Sequence, residues 1–434
     1  MKTENKYVKL FSEYTARIRE EKLSEGNVCS LSVRESDTLF AYLPKQEYKE
    51  IAPSDIRMLG LVSTSEDSDA ELVRLIYLEN PEINAVLRVF PLNCATVGKA
   101  RINIPPLLDD MAQIIGPDGR YSENNSAAIL KVLKKRNACL IVDNGVIAMG
   151  RSLDEAYVSA LVLEKAAKCF IDVTVLGSFK KINGFETRLM HFVYQKKYSK
   201  QNQANKNKEL EGGVSTKVQE DASMSPREKE LRQMIKDAGV RLVNSNLVQG
   251  TWGNISMRLD DKYMLITPTA LDYLSLTPAD MVKVNLETME YEGLHKPSGE
   301  RDIHAEMLRT RPEVNVVMHS HPPECSAFAA ANQPLPAITP EMEKYVGGDA
   351  KVGKYALPST KGLSKATVAA MEGRNACFMA NHGMLAVGVS VDETFETCRV
   401  MEESARAYID KKASELSNAK TPEDRRRDIF TRKH

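Results

Sequence analysis

The chain has a single tryptophan, no Cys-x-x-Cys pair and no apolar run approaching the roughly 20 residues that a membrane-spanning helix needs. A membrane-spanning helical class is therefore excluded. The seven cysteines are an odd number, so reduced cytosolic thiols are expected, not a disulfide framework. Neither sign of charge is in excess: Lys+Arg and Asp+Glu are both 59. Without a global basic field, neither nucleic acid nor an anionic membrane is an expected partner. No Walker loop or Rossmann glycine fingerprint occurs in a strand-to-helix context, so no nucleotide cofactor is implied. The stretch Met1-Lys2-Thr3-Glu4-Asn5-Lys6 has no apolar segment behind it, and no secretory signal is expected there.

What is present is an ordinary globular composition, 42% hydrophobic and 27% charged over 434 residues. That length predicts two domains of about 200 residues. Self-similarity shows how they arise. Asn80-Pro81-Glu82-Ile83-Asn84-Ala85-Val86 echoes Arg311-Pro312-Glu313-Val314-Asn315-Val316-Val317, an offset of 312 − 81 = 231. Gly26-Asn27 echoes Gly253-Asn254, Arg136-Asn137-Ala138-Cys139 echoes Arg374-Asn375-Ala376-Cys377, and Ser152-Leu153-Asp154-Glu155 echoes Ser390-Val391-Asp392-Glu393. The chain therefore reads as a tandem duplication, residues 1–198 and 226–434, joined by a polar linker at 199–225. Each copy is expected to be a three-layer α/β/α domain around a mixed sheet. Ser225-Pro226-Arg227-Glu228 predicts a helix start with an N-cap, a first-position proline and a capping box. Leu231, Ile235, Ala238 and Leu242 supply its apolar stripe, as Tyr7, Leu10, Phe11, Tyr14 and Ile18 do in copy one. The closing helix of copy two is expected from near Asp392 to about Ile409. Glu423 to Arg427 reads as a solvated helix start or an anion contact.

The β-branched run Val314-Asn315-Val316-Val317-Met318 predicts a strand that delivers His319-Ser320-His321 before Pro322-Pro323. Alternation puts His319 and His321 on one face. Such a pair is either two arms of a metal site or two hydrogen-bonded polar residues. A third arm is available in His382, after the apolar run Ala376 to Ala380, and three imidazoles with an open position suit a catalytic zinc. The repeat decides between the readings. His319 falls on Arg88, His321 on Phe90 and His382 on Asn144, while Pro322, Cys325 and Gly383 keep their counterparts Pro91, Cys94 and Gly145. Three distant imidazoles lost together imply one shared ion, held by copy two only.

Lys296-Pro297-Ser298-Gly299-Glu300 precedes an amphipathic helix that Ser298 is placed to cap, with Glu300 in the first turn. Glu300 either complements the helix dipole or acts as a general base beside the metal. His304, at i+4, either orients Glu300 or is polar surface. Gly250-Thr251-Trp252-Gly253-Asn254 and Thr267-Pro268-Thr269-Ala270 read singly as turns, and together with Ser298 as a neutral phosphate cradle.

These motifs, Gly253-Asn254, Thr267-Pro268-Thr269, Pro297-Ser298-Gly299-Glu300, His319-Ser320-His321 and Asn381-His382-Gly383, resemble the class II aldolase/adducin family, in particular its L-fuculose-1-phosphate aldolase type. The resemblance covers copy two and, more weakly, copy one. It implies an α/β/α sandwich around a mixed, mainly antiparallel sheet, in a fourfold ring. It also implies one zinc per chain on His319, His321 and His382, Glu300 as the proton-abstracting residue, and Thr251, Asn254, Thr269 and Ser298 on a substrate phosphate. The implied reaction is cleavage of a phosphorylated ketose to dihydroxyacetone phosphate and an aldehyde, through an enediolate that the zinc stabilises. A sugar-phosphate 4-epimerase, dehydratase or decarboxylase on the same site, or an adducin-like binding protein, are the alternatives. A homo-oligomer is expected, a dimer completing a pseudo-fourfold ring or a tetramer. The sequence departs from the family at Ala270 and Gly299, where Gly and Ser are usual. The segment Pro336 to Pro340 lacks the tyrosine that protonates the leaving aldehyde; Tyr345 lies nearby.

Overall fold

A computed structural model describes residues 2–198, 224–248, 252–269 and 271–418. The chain divides into two compact units, Met1–Ile171 with Asn183–His191, and Asp172–Ile182 with Phe192–His434.

The first unit holds seven strands: β1 (Val28–Arg34), β2 (Leu39–Glu47), β3 (Arg57–Gly60), β4 (Ala85–Val89), β5 (Tyr121–Ser122), β6 (Ala138–Ile141) and β7 (Val146–Gly150). Their order is β3-β2-β1-β4-β7-β6-β5, with only β5–β6 parallel. One face carries Phe40, Val86, Cys139 and Ile147 against Leu72, Ile76 and Leu133 of the helices Ser68–Glu79 and Ser126–Leu133.

The second unit repeats the order with one added edge strand. Its strands are β8 (Gly253–Arg258), β9 (Tyr263–Ile266), β10 (Val282–Asn285), β11 (Tyr291–Glu292), β12 (Val316–Ser320), β13 (Val352–Gly353), β14 (Ala376–Met379) and β15 (Gly383–Gly388). They run β11-β10-β9-β8-β12-β15-β14-β13, again with one parallel pair, β13–β14. The mixed, mainly antiparallel sheets flanked by helices are those expected from the sequence.

Alternation along β12 sorts the layers. Val317 faces Ile303, Met307 and Leu363 of the helices Arg301–Thr310 and Lys361–Met371. On β14, Cys377 joins this apolar cluster while its neighbour Phe378 stacks on Phe328 of the helix Pro323–Ala331, 5.6 Å between centroids. Each fully buried side chain of this size contributes roughly 1.5–3 kcal/mol.

The helix Pro226–Asn244 begins as the sequence predicts, with Pro226 first and Ser225 Oγ accepting from the Glu228 amide at 3.1 Å. The Glu228 carboxylate instead takes the Arg232 guanidinium, at 3.0 and 2.7 Å. The closing helix is longer than expected, Val391–Asn418. Residues 199–223 of the expected 199–225 linker, and the charged segment from Glu423 to Arg427, lie outside the described residues.

Register corrects one alignment. Asn254 pairs with His319 across β8–β12, and Ser30 pairs with Arg88 across β1–β4. Ser30, not Asn27, is therefore the counterpart of Asn254; Gly26-Asn27 belong to a short helical turn before β1. A two-residue match outside the strand had suggested a shift of three positions.

Candidate metal centre

His319 is the next-to-last residue of β12 and His321 lies just past its end. The i, i+2 spacing turns both to the face of Val317. Pro322 then caps the helix Pro323–Ala331, whose first turn takes the chain out of the sheet. His382 comes from the turn between β14 and β15. Asn381 stands there in left-handed conformation, φ 58°. Its amide nitrogen donates to the Ala329 carbonyl at 3.0 Å, and its side-chain Nδ2 donates to the Lys180 carbonyl at 2.7 Å. Gly383 follows by necessity. A Cβ there would sit 2.6 Å from the Ser320 carbonyl oxygen and 3.0 and 3.2 Å from the rings of His321 and His319.

The three rings converge on their Nε2 atoms, 2.8 Å between His321 and His319 and 3.0 Å between His382 and His319. His319 Nδ1 lies 2.8 Å from the Met384 carbonyl oxygen. Since a carbonyl only accepts, that nitrogen carries the proton, and Nε2 turns a lone pair to the centre. All three residues are buried, and together they form a group able to hold a metal ion. Nitrogens on a tetrahedral zinc lie about 3.3 Å apart for bonds of about 2.0–2.1 Å, so the donor set fits such an ion with a small expansion.

Glu300 completes the centre. Its Oε1 is 2.9 Å from His382 Nε2 and its Oε2 3.2 Å from His319 Nε2. It precedes the helix Arg301–Thr310 as the N-cap residue, not within the first turn as expected, and Ser298 Oγ accepts from its amide at 3.2 Å. Burial alone would raise its carboxyl. The His319 and His382 imidazoles and the Asn254 amide, which donates to Oε2 at 2.9 Å, hold it well below the usual carboxylate range. His304 is fully buried, with Nδ1 2.7 Å from Ser256 Oγ and Nε2 bonded to Asn254 Oδ1. Of its two sequence readings, polar surface is the one burial removes. The link from Asn254 to Glu300 was missed, although Asn254-Ile255-Ser256 alternates as a strand with both polar residues on one face.

Of the expected phosphate residues, Thr269 and Ser298 come together. Pro268 bridges Pro297, the Thr269 amide donates to the Lys296 carbonyl at 3.0 Å, and the Ser298 amide donates to the Thr267 carbonyl at 3.1 Å. Asn254 instead spends its amide on Glu300 and His304. Thr251 lies outside the described residues. Tyr345 has its hydroxyl 3.2 Å from Lys344 Nζ on an exposed surface.

Copy one holds an ion pair where copy two gathers imidazoles. The 231-residue offset puts Asp69 at Glu300 and Arg88 at His319, and the Arg88 guanidinium is bonded to the Asp69 carboxylate. Lys45 Nζ stands 3.6 Å from the other Asp69 oxygen. Two side-chain cations thus flank the Asp69 carboxylate.

Among known proteins, the family described as Class II Aldolase and Adducin N-terminal domain matches residues 10–171 and 233–409. Similar relatives include the 5-methylthioribulose-1-phosphate/5-deoxyribulose-1-phosphate aldolase of Rhodospirillum rubrum, 38% identical over 178 residues, 41% of this chain and 80% of that protein. The L-fuculose phosphate aldolase of Escherichia coli O157:H7 is 33% identical over 183 residues, 42% of this chain and 84% of that protein. A solved L-fuculose 1-phosphate aldolase is 30% identical, covering 46% of this chain and 90% of that chain with a TM-score of 0.41.

Proposed function

The chain belongs to the class II aldolase and adducin family, and from that premise we propose that its second copy is a zinc-dependent aldolase acting on a ketose 1-phosphate. The observation that carries this reading is the convergence of His319, His321, His382 and the Glu300 carboxylate on one buried point. A non-catalytic binding protein has no use for such a centre. When bound, the zinc supplies a Lewis acid for the substrate carbonyl and for the charge of the enediolate.

The chain's own residues do the rest. In the cleavage direction the Glu300 carboxylate takes the proton of the C4 hydroxyl, the C3–C4 bond breaks and the aldehyde leaves. Glu300 then delivers a proton to the carbon of the remaining enediolate, giving dihydroxyacetone phosphate; in condensation it removes that same proton. Thr269 and Ser298, side by side on two loops whose amides bond each other's carbonyls, are proposed to hold the phosphate with their hydroxyls. Relatives named for fuculose and deoxyribulose phosphates support a 1-phosphorylated ketose as the substrate class.

The test is a panel of ketose 1-phosphates given to zinc-loaded protein, with triose phosphate and aldehyde assayed separately. Release of both is expected, and Glu300→Gln should lose cleavage by at least about 100-fold while keeping its zinc. An active Glu300→Gln, or a product still of full carbon length, would overturn the assignment.

A further inference from the structure

We infer that His304 is a positioning residue, which locks the Asn254 side chain so that its N–H, and not its oxygen, faces Glu300. The inference rests on Glu300 being the proton-moving residue. An asparagine amide is nearly symmetric in shape, and nothing in its own chemistry decides which end faces a carboxylate. Here the partners decide. Glu300 is acceptor-only, so Asn254 must present Nδ2, 2.9 Å away. Oδ1 then faces His304 Nε2, which must carry the proton. Nδ1 is left with its lone pair, and the Ser256 hydroxyl, 2.7 Å away, donates to it. One direction of donation runs from Ser256 through His304 and Asn254 to Glu300, with each group satisfied.

Reversing the amide would set Oδ1 against the carboxylate and an N–H against the Nε2 proton. His304 could accept that arrangement only by exchanging tautomers and turning the Ser256 hydroxyl. Both residues are fully buried, so the exchange would leave polar groups to be repaired within the network itself. Burial also pushes the His304 pKa down to about 3, keeping the ring neutral with a single proton to place. Because Glu300 Oε2 is held by Asn254, Oε1 stays directed at the His382 side of the centre.

The duplication supplies the control. Register places Ser30 at Asn254 and Ser32 at Ser256, and the 231-residue offset places Val73 at His304. Ser32 there bonds the Tyr77 hydroxyl at 2.7 Å instead. The relay is thus missing from the copy whose carboxylate, Asp69, is held by Arg88. An arginine fixes a carboxylate by charge and a fork of donors; a carboxylate that must move protons needs a neutral, one-way donor instead.

Two measurements on the zinc-loaded full chain test this. In protein with 15N-labelled histidine, the His304 ring, assigned by its loss in His304→Gln, should show a protonated Nε2 and a bare Nδ1. A protonated Nδ1 overturns the inference whether or not any sugar is cleaved. In kinetics, His304→Val, which copies the valine that copy one carries as Val73, should lower kcat about 10–100-fold. KM should stay within about twofold and zinc should remain bound, since the variant changes alignment and not affinity. His304→Gln, whose amide can still donate to Asn254, should recover most of the loss. Equal kcat in His304→Val and the parent, or a glutamine no better than valine, refutes the positioning role. If the parent cleaves no ketose phosphate, the functional reading falls and the tautomer alone decides this inference.

Discussion

Burial sets the charge states around the imidazoles, and at His304 the consequence can be measured apart from catalysis. Burial, then the neighbouring His319, depress its folded-state pKa to about 3, against about 6.5 in an unfolded chain. Between these values the unfolded state binds a proton that the folded state refuses. Stability contributed by the neutral ring is therefore complete above pH 6.5 and declines as pH falls toward 3, at up to about 1.4 kcal/mol per pH unit. Denaturant unfolding in chelator at pH 7, 6 and 5 should show the parent losing ground to His304→Gln, which has nothing to titrate. Parallel curves would show that His304 protonates in the folded state. That single residue also marks a limit of the sequence. Three imidazoles vanishing together from copy one made the metal site legible, because loss as a set is a pattern. His304 reaches Glu300 only through Asn254, 50 residues away in sequence, and a hydrogen bond across two elements leaves no periodic trace.

At the scale of elements, the helix Pro323–Ala331 starts two residues after His321, so its N-terminus fixes where β12 stops. Its orphan amides are satisfied from afar: Glu402 of the closing helix accepts from the Glu324 amide at 3.1 Å and the Cys325 amide at 2.9 Å. Copy one repeats the device, with Glu164 accepting from Asn93 and Cys94 at 3.0 and 2.9 Å. Burial first, and then the adjoining Glu324 carboxyl, raise the Glu402 pKa well above the usual carboxylate range, while each of its oxygens accepts one of the two amides. Glu402→Ala would strand two buried N–H groups, each costing about 1–3 kcal/mol. Chemical denaturation should register a loss near the sum, with Glu402→Gln losing less because one carbonyl acceptor remains. A neutral alanine variant would show that solvent reaches those amides. Elements were legible where residues alternate or caps are local, as with β12 and Ser225. They were not where ends depend on distant partners. The last turns of Val391–Asn418 carry polar residues with no apolar stripe to extend, and the sequence therefore stops that helix nine residues early.

For the whole molecule, the two sheets share one strand order while their equivalent sites have gone to different solutions, an ion pair in one and a cluster of ligands in the other. That predicts one zinc per chain, and it predicts which half answers to which mutation. Arg88 is almost wholly buried, with 5% side-chain exposure against 22% for Asp69. Arg88→Met would leave Asp69 with Lys45 as its remaining cation, 3.6 Å away. A fully buried pair broken on one side costs about 3–5 kcal/mol; the partial exposure of Asp69 and the nearness of Lys45 reduce the expected loss to about 2 kcal/mol. Zinc content and ketose cleavage should not change, because His319, His321 and His382 all lie in copy two. His319→Ala should do the reverse, removing the zinc and the activity. Metal analysis and unfolding curves on the same two preparations separate the cases. Two zinc ions in the parent chain, or a loss of zinc in Arg88→Met, would mean that copy one is a working site and that its ion pair is not a replacement for the metal. Light scattering on the same parent protein adds the assembly: if the fourfold ring implied by the resemblance forms, a dimeric mass is expected, and a monomeric mass would rule that arrangement out.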